Sequence, residues 1–593
     1  MKVLGISLGH DTNFAIVEDG KVKAAIEAER YFRRKRYKLN CLTLEPKKIQ
    51  STFQYVDTAE LESFLKNELT PRWGKNFDAI AVQNQGRKEE FENFKIILKK
   101  LGFSWLNFNH IDHHLSHGSL AFYTSPFTKA LILSYDGSGN DGHTIVFSAD
   151  NASGLKYLEN NSIEFGKNYN NLGYLLGIKP EICGTTSGKT MGLCSYGQVR
   201  KEWLPYAKKY IEKYLKLPYL DNPNKELNSY GKFFRSNAVA LADIPELSKY
   251  TRPTSKPDSL SWFKWFSYQF LGRVSNKNFE FPNLDNKDAQ DLAQTVQHAW
   301  TDEVLKLLKK CEGVSENLCV IGGCALNGIT NYAIEQSGMF KNIHFLPNPT
   351  DCGLASGAAL HTYWKISGEK FNGYGEYFSP YLGLEAFDLA ELPKLKNQYP
   401  SKIIDEKNLP DILAKLLSQD IIVGVIRGRY EVGPRALGNR SILCNPLNPD
   451  MRDILNDKVK HREWYRPFAP VVTAEDSHKY FTAQNDVPYM SVICYTKPEW
   501  QKKLPSITHV DGSARIQTVR RPHNQFLYDT LKAFEKIAGV PILLNTSFNP
   551  AGEPILNYCS VGLEMLTKTK LDMVLINNEL FVAPGNEKLL NKI

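Results

Sequence analysis

The feature that most restricts this chain is a rhythm that occurs twice. VLGISLGHDTNFAIVEDGKVKAAIEAER, from Val3, reads as strand, Gly-His-Asp turn, strand, Asp19-Gly20 turn, strand. Asp-Gly between two apolar runs is a strong hairpin signal, because both central positions of the tight turn need a left-handed backbone. About 130 residues later ALILSYDGSGNDGHTIVFSADNASGLKYLE repeats the order. A chain that builds strand, glycine-rich turn and hairpin twice is expected to fold as two like α/β halves, each aiming one turn at a bound nucleotide. Backbone N–H groups in such turns face phosphate without side-chain obstruction.

Just before the second copy stands NHIDHHLSHGSLAFY, from Asn109. His113 and His117 are four apart in a segment that reads as a helix, so their imidazoles project from one face about one turn apart. The buried strand that follows ends in Asp136, a carboxylate at its tip. Two imidazoles and a carboxylate suit a divalent first-row metal with open coordination positions. A pair of ordinary core or surface histidines is the alternative; four of the chain's 13 His between His110 and His117, with the aspartate next, favour the metal. Further on, IHFLPNPTDCGLASGAALHTYW places Asp351 before a helix rich in Gly, Ala and Ser, where it is either a helix-capping acid or a metal ligand.

A chain of 593 residues exceeds one ordinary core, and two or three domains are expected. No apolar run is long enough to span a membrane, and MKVLGISLGH lacks the features of a signal peptide, so a cytoplasmic location is expected. The ten cysteines are scattered without a CxxC pair and read as free thiols. A net charge of +9 permits an anionic ligand without requiring nucleic acid. The densest basic cluster, RYFRRKRYK from Arg30 to Lys38, reads equally as a solvated strand or loop edge.

Taken in order, TAELESFLKNEL is helical, with Thr58 as its N-cap. GTTSGKTMGLCSYG sets Lys189 in a glycine-rich loop, facing either phosphate or solvent. Residues from about 200 to 286 form an irregular insertion, a lid or substrate-shaping element. Leu292, Val296, Trp300 and Val304 then mark one apolar helix face, and NLCVIGGCALNG is a short strand, Gly322-Gly323, and Asn327 at the entry to another helix. The first domain is expected over 1–365 and the second over 386–593. In the latter, Arg427 to Arg466 holds nine Lys or Arg against five Asp or Glu. Arginines interleaved with Gly, Pro and apolar residues favour bidentate recognition of phosphate or carboxylate; an internal ion-pair network with Glu431, Asp450, Asp453, Asp457 and Glu463 is the alternative. VDGSARIQTVRR adds Arg515, and PILLNTSFN is a strand ending in Asn545 and Ser547. Together these describe a pocket for a polyanion.

GRYEVGPRALGNRSIL, KHREWYRPFAP, HVDGSARIQTVRR and PILLNTSFN resemble the C-terminal half of the NodU/CmcH family of O-carbamoyltransferases. GHD, HHLSH, SYDGSG, KTMGLCSYG and GGCALN resemble its N-terminal half. The resemblance implies an α/β fold in which a duplicated actin-like domain of the sugar-kinase type is fused to a C-terminal YrdC-like α/β domain. It implies that carbamoyl phosphate and ATP, with Mg2+, form carbamoyladenylate in the second domain. The carbamoyl group then passes to a hydroxyl of a small-molecule acceptor in the first domain, with AMP released. On matching positions His113, His117, Asp136 and Asp351 would hold the metal, by resemblance iron. Arg435, Lys460, Arg466, Arg515, Asn545 and Ser547 would hold carbamoyl phosphate and ATP, and Gly137, Ser138, Gly139, Lys189, Gly322, Gly323 and Asn327 the adenylate.

These roles have physical sense of their own. Two anions that repel each other need several fixed cations where water is excluded. His10, in the first glycine-rich turn, is either the base for the acceptor's hydroxyl proton or a turn-stabilising histidine. The first motif continues as His10-Asp11-Thr12-Asn13-Phe14-Ala15 where many members have Ser and Ala, and a changed acceptor pocket is expected there. Two other readings compete: a tRNA threonylcarbamoyl-type transferase, although nucleic acid is not favoured by the small-molecule motifs, and a non-catalytic nucleotide-binding sensor.

Overall fold

The computed structural model describes residues 1–39, 55–56, 58–84, 88–137, 139–181, 184–212, 241–253 and 277–593. Ser138 and most of the 200–286 insertion lie outside the described residues. Of the parts of that segment that are described, helix Leu204–Glu212 packs Ala207, Tyr210 and Ile211 into the interior and so belongs to the core.

The twice-played rhythm becomes two sheets of one topology. The first contains β1 (Lys2–Leu8), β2 (Asn13–Glu18), β3 (Lys21–Glu27), β4 (Asn76–Asn84) and β5 (Ser104–His110), in the order β3-β2-β1-β4-β5. The second contains β6 (Lys129–Tyr135), β7 (Thr144–Asp150), β8 (Gly154–Asn161), β9 (Asn317–Ile321) and β10 (Asn342–His344), in the order β8-β7-β6-β9-β10. In both, a hairpin-linked antiparallel trio is extended by two parallel strands. Asp19 and Gly20, at φ 48° and 73°, form the first hairpin turn.

Two helices fill the space between the sheets. α1 (His113–Tyr123) lies on the second sheet, α5 (Leu354–Ser367) on the first, and the two pack against each other. Small residues permit this: a Cβ on Gly357 would come 1.9 Å from the Ser116 carbonyl, and one on Gly5 2.0 Å from that of Ala355. On the outer side of the second sheet, α2 (Ser187–Cys194) packs on α3 (Lys287–Lys310), whose Leu292, Val296, Trp300 and Val304 are all buried. Lys189 is therefore on a helix, not in the loop expected of it. Asn327 caps α4 (Gly328–Gln336), accepting from Thr330 N at 3.2 Å.

The C-terminal half is built on an eight-stranded mixed sheet. Its strands are β11 (Ser401–Ile403), β12 (Val423–Ile426), β13 (Arg440–Cys444), β14 (Ala469–Thr473), β15 (Gln517–Val519), β16 (Ile542–Ser547), β17 (Met573–Ile576) and β18 (Glu579–Val582). They are ordered β11-β18-β17-β12-β13-β16-β14-β15. The two halves share a closed boundary: Tyr430 and Tyr465 from the C-terminal half are buried in the apolar cores of the first and second sheets. The described cysteines are free, and among the described residues no helix is long and apolar enough to cross a membrane.

Candidate functional site

Asp136 follows directly on β6, and its Oδ1 accepts the Gly137 N–H at 2.6 Å, which turns Oδ2 toward α1. The glycine-rich turn also caps that helix: Asn140 accepts from His113 N at 3.0 Å, and Asp141 accepts from His114 N at 2.9 Å and Leu115 N at 3.1 Å. Capping by side-chain oxygens at a helix start fixes its first turn, so the second glycine-rich turn supplies one carboxylate and orients both imidazoles. His117 Nε2 lies 3.2 Å from Asp136 Oδ2 and 3.6 Å from Asp351 Oδ1; His113 Nε2 lies 3.7 and 3.8 Å from the same atoms. All four side chains are largely buried, and their ligand atoms lie within 4.8 Å of one another.

A divalent cation fits this set. Both ring nitrogens of His113 and Nδ1 of His117 are buried without a hydrogen-bond partner among the described residues, a costly state for polar atoms unless something binds them. Burial would lower the His117 imidazole, yet Asp136 and Asp351 push it up to about 9. Burial likewise favours the neutral Asp136 carboxyl, but His113 and His117 hold it well below the ordinary range. Two buried carboxylates thus draw positive charge, which a metal supplies. His114 is different: Nδ1 pairs with Ser134 Oγ at 2.8 Å and Nε2 with the Gly142 carbonyl at 3.2 Å, and burial lowers it to about 3.

Asp351 opens the short turn before α5, and its second oxygen, Oδ2, lies 3.4 Å from His10 Nδ1, which also pairs with Asp11 at 2.8 Å. One carboxylate therefore joins His10 to the metal-ligand set. Burial would lower His10, but Asp351 and Asp11 outweigh it and raise the imidazole. The residues that depart from the family's first motif make contacts within the fold. Asn13 donates to the Asp351 carbonyl at 2.8 Å and accepts from Ala355 N at 3.0 Å, Thr12 donates to Gly9 O at 2.9 Å, and Phe14 is in the core.

The glycines divide. A Cβ on Gly323 would stand 2.8 Å from Asp136 Oδ1, and one on Gly322 2.2 Å from the Tyr135 carbonyl, so both make room for β6 and its carboxylate. Gly139 abuts His113, whereas Gly137 faces open space. Asn327 is occupied by its capping bond and by Gln297, to which it donates at 3.0 Å.

The C-terminal residues converge on a second site. Glu431, fully buried, accepts from Leu437 N, Asn439 N and Arg440 N at 2.6, 3.0 and 3.1 Å and so holds the loop bearing Arg435. Lys460 donates to the Ser547 and Asn549 carbonyls at 2.8 and 3.3 Å and to Asn549 Oδ1 at 2.6 Å. Burial, then Arg462, Arg466 and Lys35, push its ammonium well below the usual range. Burial, then Arg435, Arg466 and Arg462, do the same to Arg515; burial and Arg466 bring Arg435 down to about 10. Nε of Arg435 and Nε of Arg515 are buried without a hydrogen-bond partner among the described residues. Arginines that depress one another and leave donors unused could hold a polyanion.

The ion-pair alternative accounts for part of this stretch. Glu463 lies 3.6 Å from Arg466 and pairs with Lys189, and Glu181 lies 3.7 Å from Arg466. Lys189 thus stands beside the C-terminal pocket. Asn545 Nδ2 is committed to Ala436 O at 3.1 Å and Gln517 Oε1 at 2.7 Å, although its Oδ1 has no partner among the described residues. Arg462, singled out by no motif argument, belongs to the cluster: it donates to Asn456 at 2.8 Å and lies 4.1 Å from the Phe468 ring centroid. The Arg30–Lys38 run is a solvated edge only in part, with Arg33 and Arg34 still substantially exposed. Arg30 is buried against Glu27 at 2.7 Å, while Arg33, Arg34, Lys35 and Arg36 face Glu553, Glu60, Glu181 and Asp11.

Two like sheets carry a buried His/Asp set that could hold a metal ion, and the mixed-sheet half joined to them carries a cluster of buried cations. Residues 2–360 match the family model described as Carbamoyltransferase N-terminus, and residues 414–582 the one described as Carbamoyltransferase C-terminus. The chain belongs to the carbamoyltransferase family, and it is a carbamoyltransferase. It is 30% identical to an uncharacterized protein of Synechocystis sp., over 97% of this chain and 96% of that one. It is also 30% identical to nodulation protein NolO of Bradyrhizobium diazoefficiens, over 79% and 78%, and 26% identical to nodulation protein U of Rhizobium tropici, over 98% and 96%. Among solved structures, full-length HypF in its phosphate- and nucleotide-bound form is similar at 14% identity and a TM-score of 0.30, covering 62% of this chain and 56% of that one. An activator of 2-hydroxyisocaproyl-CoA dehydratase from Clostridium difficile with bound ADPNP gives 13% and 0.28, covering 62% and 96%. The assignment rests on the family match.

Proposed function

We propose that this carbamoyltransferase activates its carbamoyl group in the C-terminal pocket and delivers it to a hydroxyl of a small-molecule acceptor at the His/Asp centre. On this reading the eight-stranded half is a YrdC-like module. Carbamoyl phosphate yields phosphate to water there, the resulting carbamate attacks the α-phosphorus of ATP, and pyrophosphate leaves carbamoyladenylate. In the N-terminal half the acceptor oxygen attacks the carbamoyl carbon, its proton passes to the His10 ring, whose Nδ1 is already held by Asp11, and AMP departs.

The observation that carries the reading is the concentration of Arg435, Lys460, Arg462, Arg466 and Arg515 around unused donors. Carbamoyl phosphate and ATP repel each other, and fixed cations in a desolvated pocket lower the cost of bringing them together. His113, His117, Asp136 and Asp351 would hold a divalent metal, iron by family resemblance. When bound, it supplies Lewis-acid polarisation of the carbamoyl group. Mg2+ would accompany ATP. Gly137, with open space where a side chain would stand, is the turn residue best able to admit the adenylate.

The test is release of AMP and pyrophosphate from ATP with and without carbamoyl phosphate, in the absence of acceptor. Carbamoyl-phosphate-dependent release is expected from the wild type and is lost in Arg435→Ala. His113→Ala is expected to keep that release, lose transfer, and show reduced bound metal by elemental analysis. Equal loss of both half-reactions in both variants would reject the two-site assignment.

A further inference from the structure

Lys370 follows α5 and folds back against aromatic side chains of the N-terminal half. Its Nζ stands 4.2 Å from the centroid of the Phe122 ring, near the end of α1, and donates to the Phe127 carbonyl in the loop beyond. No carboxylate faces it among the described residues. The titratable groups turned toward it come from the second sheet: Cys319 on β9 and His344 on β10. Neither supplies a balancing charge. Burial pushes the Cys319 thiol up to about 12, and burial with the charge of Lys370 brings the His344 imidazole down to about 3. An ammonium held against a ring face and one carbonyl, with no anion beside it, is disfavoured relative to the free amine. Burial accordingly brings Lys370 down to about 8. Asp351 stands before the 14-residue α5 and Lys370 past its end, so roughly 20 Å of helix separates this amine from the metal-ligand set.

We infer that Lys370 is a carbamoylation site, an amine placed to take up isocyanic acid. Carbamoyl phosphate, the donor proposed above, yields isocyanic acid when its carbon–oxygen bond to phosphate breaks and its nitrogen gives up a proton. The Nζ lone pair attacks the isocyanic carbon, an N–C bond forms, and a proton passes from Nζ to the other nitrogen. A urea results, with no leaving group and no oxidant. Only an uncharged amine attacks, and the competing amines of the chain are otherwise engaged. Lys460 is deeply buried but spends its donors on Ser547 and Asn549, while pairing with Asp19 raises the Met1 amine. The modification goes beyond the group transfer proposed above and rests on that reading only for the source of the reagent.

Potassium cyanate is the probe, added to the metal-loaded full chain, with peptide mass mapping of each lysine over time. At pH 7 Lys370 is expected to gain a carbamoyl group roughly ten-fold faster than exposed lysines such as Lys66 and Lys502. The pH profile separates a lowered amine from one that is merely reachable. As pH rises the amine sheds its proton while isocyanic acid sheds its own, so the two trends cancel until the amine is fully neutral. The rate at Lys370 should therefore decline above about 8, whereas exposed lysines hold theirs to about pH 10. In guanidinium chloride, which unfolds the chain, the preference should vanish. A rate at Lys370 no faster than at Lys66, a rate that stays level to pH 10, or a preference that survives unfolding would overturn the inference. Failure of the proposed function looks different: cyanate would still mark Lys370, while carbamoyl phosphate would drive no release of AMP.

Discussion

Arg435 and Arg440 stand in one GPRALGNR motif and have opposite tasks. Arg440 is fully buried and its donors are spent on the fold: Nε and Nη2 on Asn557 Oδ1 at 3.0 and 2.8 Å, Nη1 on the Arg427 and Asn439 carbonyls at 2.8 Å each, and Nη2 on Gly428 O at 2.8 Å. Arg435 keeps its Nε without a hydrogen-bond partner among the described residues. Satisfied donors mark a structural arginine and unused ones a binding arginine, a distinction that spacing cannot reveal. Arg440→Lys replaces a planar five-donor fork with a three-donor ammonium and leaves buried carbonyls unmet. It is expected to cost roughly 3 kcal/mol, read as a lower melting temperature, whereas Arg435→Lys should melt near the wild type and lose carbamoyl-phosphate binding.

At the scale of elements, the metal-ligand set depends on what lies behind it. Gly323 sits against Asp136, and a methyl group there would meet Oδ1 at 2.8 Å. Because Oδ1 is tied to Gly137 N, the carboxylate cannot yield without turning Oδ2 away from His117. Gly323→Ala is expected to leave the chain folded and reduce its metal content several-fold, checked by elemental analysis after dialysis against the metal. Gly433→Ala should be harsher. That residue has φ 94°, a conformation that disfavours side chains, and a Cβ would approach the Pro347 carbonyl to 2.0 Å. The loop carrying Arg435 would be pushed off the N-terminal half, with loss of carbamoyl-phosphate binding and a lower melting temperature.

At the scale of the whole molecule, buried polar contacts hold the halves together. Arg30, paired with Glu27, also donates to Gly433 O at 2.8 Å and Ile555 O at 3.2 Å. Removing one partner of a buried pair leaves the other charge uncompensated, a cost of roughly 3 kcal/mol or more. Arg30→Met is therefore expected to split the calorimetric transition in two as the halves uncouple. A second junction titrates. Glu335, at the end of α4, is raised by burial to about 7 despite a bond from Asn485, and Asn331 on the same helix donates to Ser491 O at 2.6 Å. The unfolded carboxyl releases its proton near 4.5 while the folded one keeps it to about 7. Stability from this group is therefore intact below 4.5, falls through that window and stays lower above it. Glu335→Gln should melt like the wild type at pH 4 and higher than it at pH 8.

The sequence by itself determined the elements and most of the residue types at both sites. Hairpin turns, the helix bearing His113 and His117, the strand ending in Asp136 and the strand ending in Asn545 and Ser547 all follow from local rules, since each depends on neighbours within a few positions. The fate of individual polar groups was decided only by the tertiary structure. Asn327 is engaged by a cap and by Gln297, Lys189 by carboxylate and carbonyl oxygens, and Asn545 through its Nδ2 alone, while Thr12, Asn13 and Phe14 make contacts within the fold. The Arg30–Lys38 run read equally as a solvated edge, and its Arg30 and Arg33 reach across to the C-terminal half while Arg34, Lys35 and Arg36 pair within their own; Glu181 carried no signal at all. A side chain binds a ligand only when the fold leaves its donors unmet, and whether they are met depends on partners brought in from hundreds of positions away, as the Gly433 carbonyl is for Arg30.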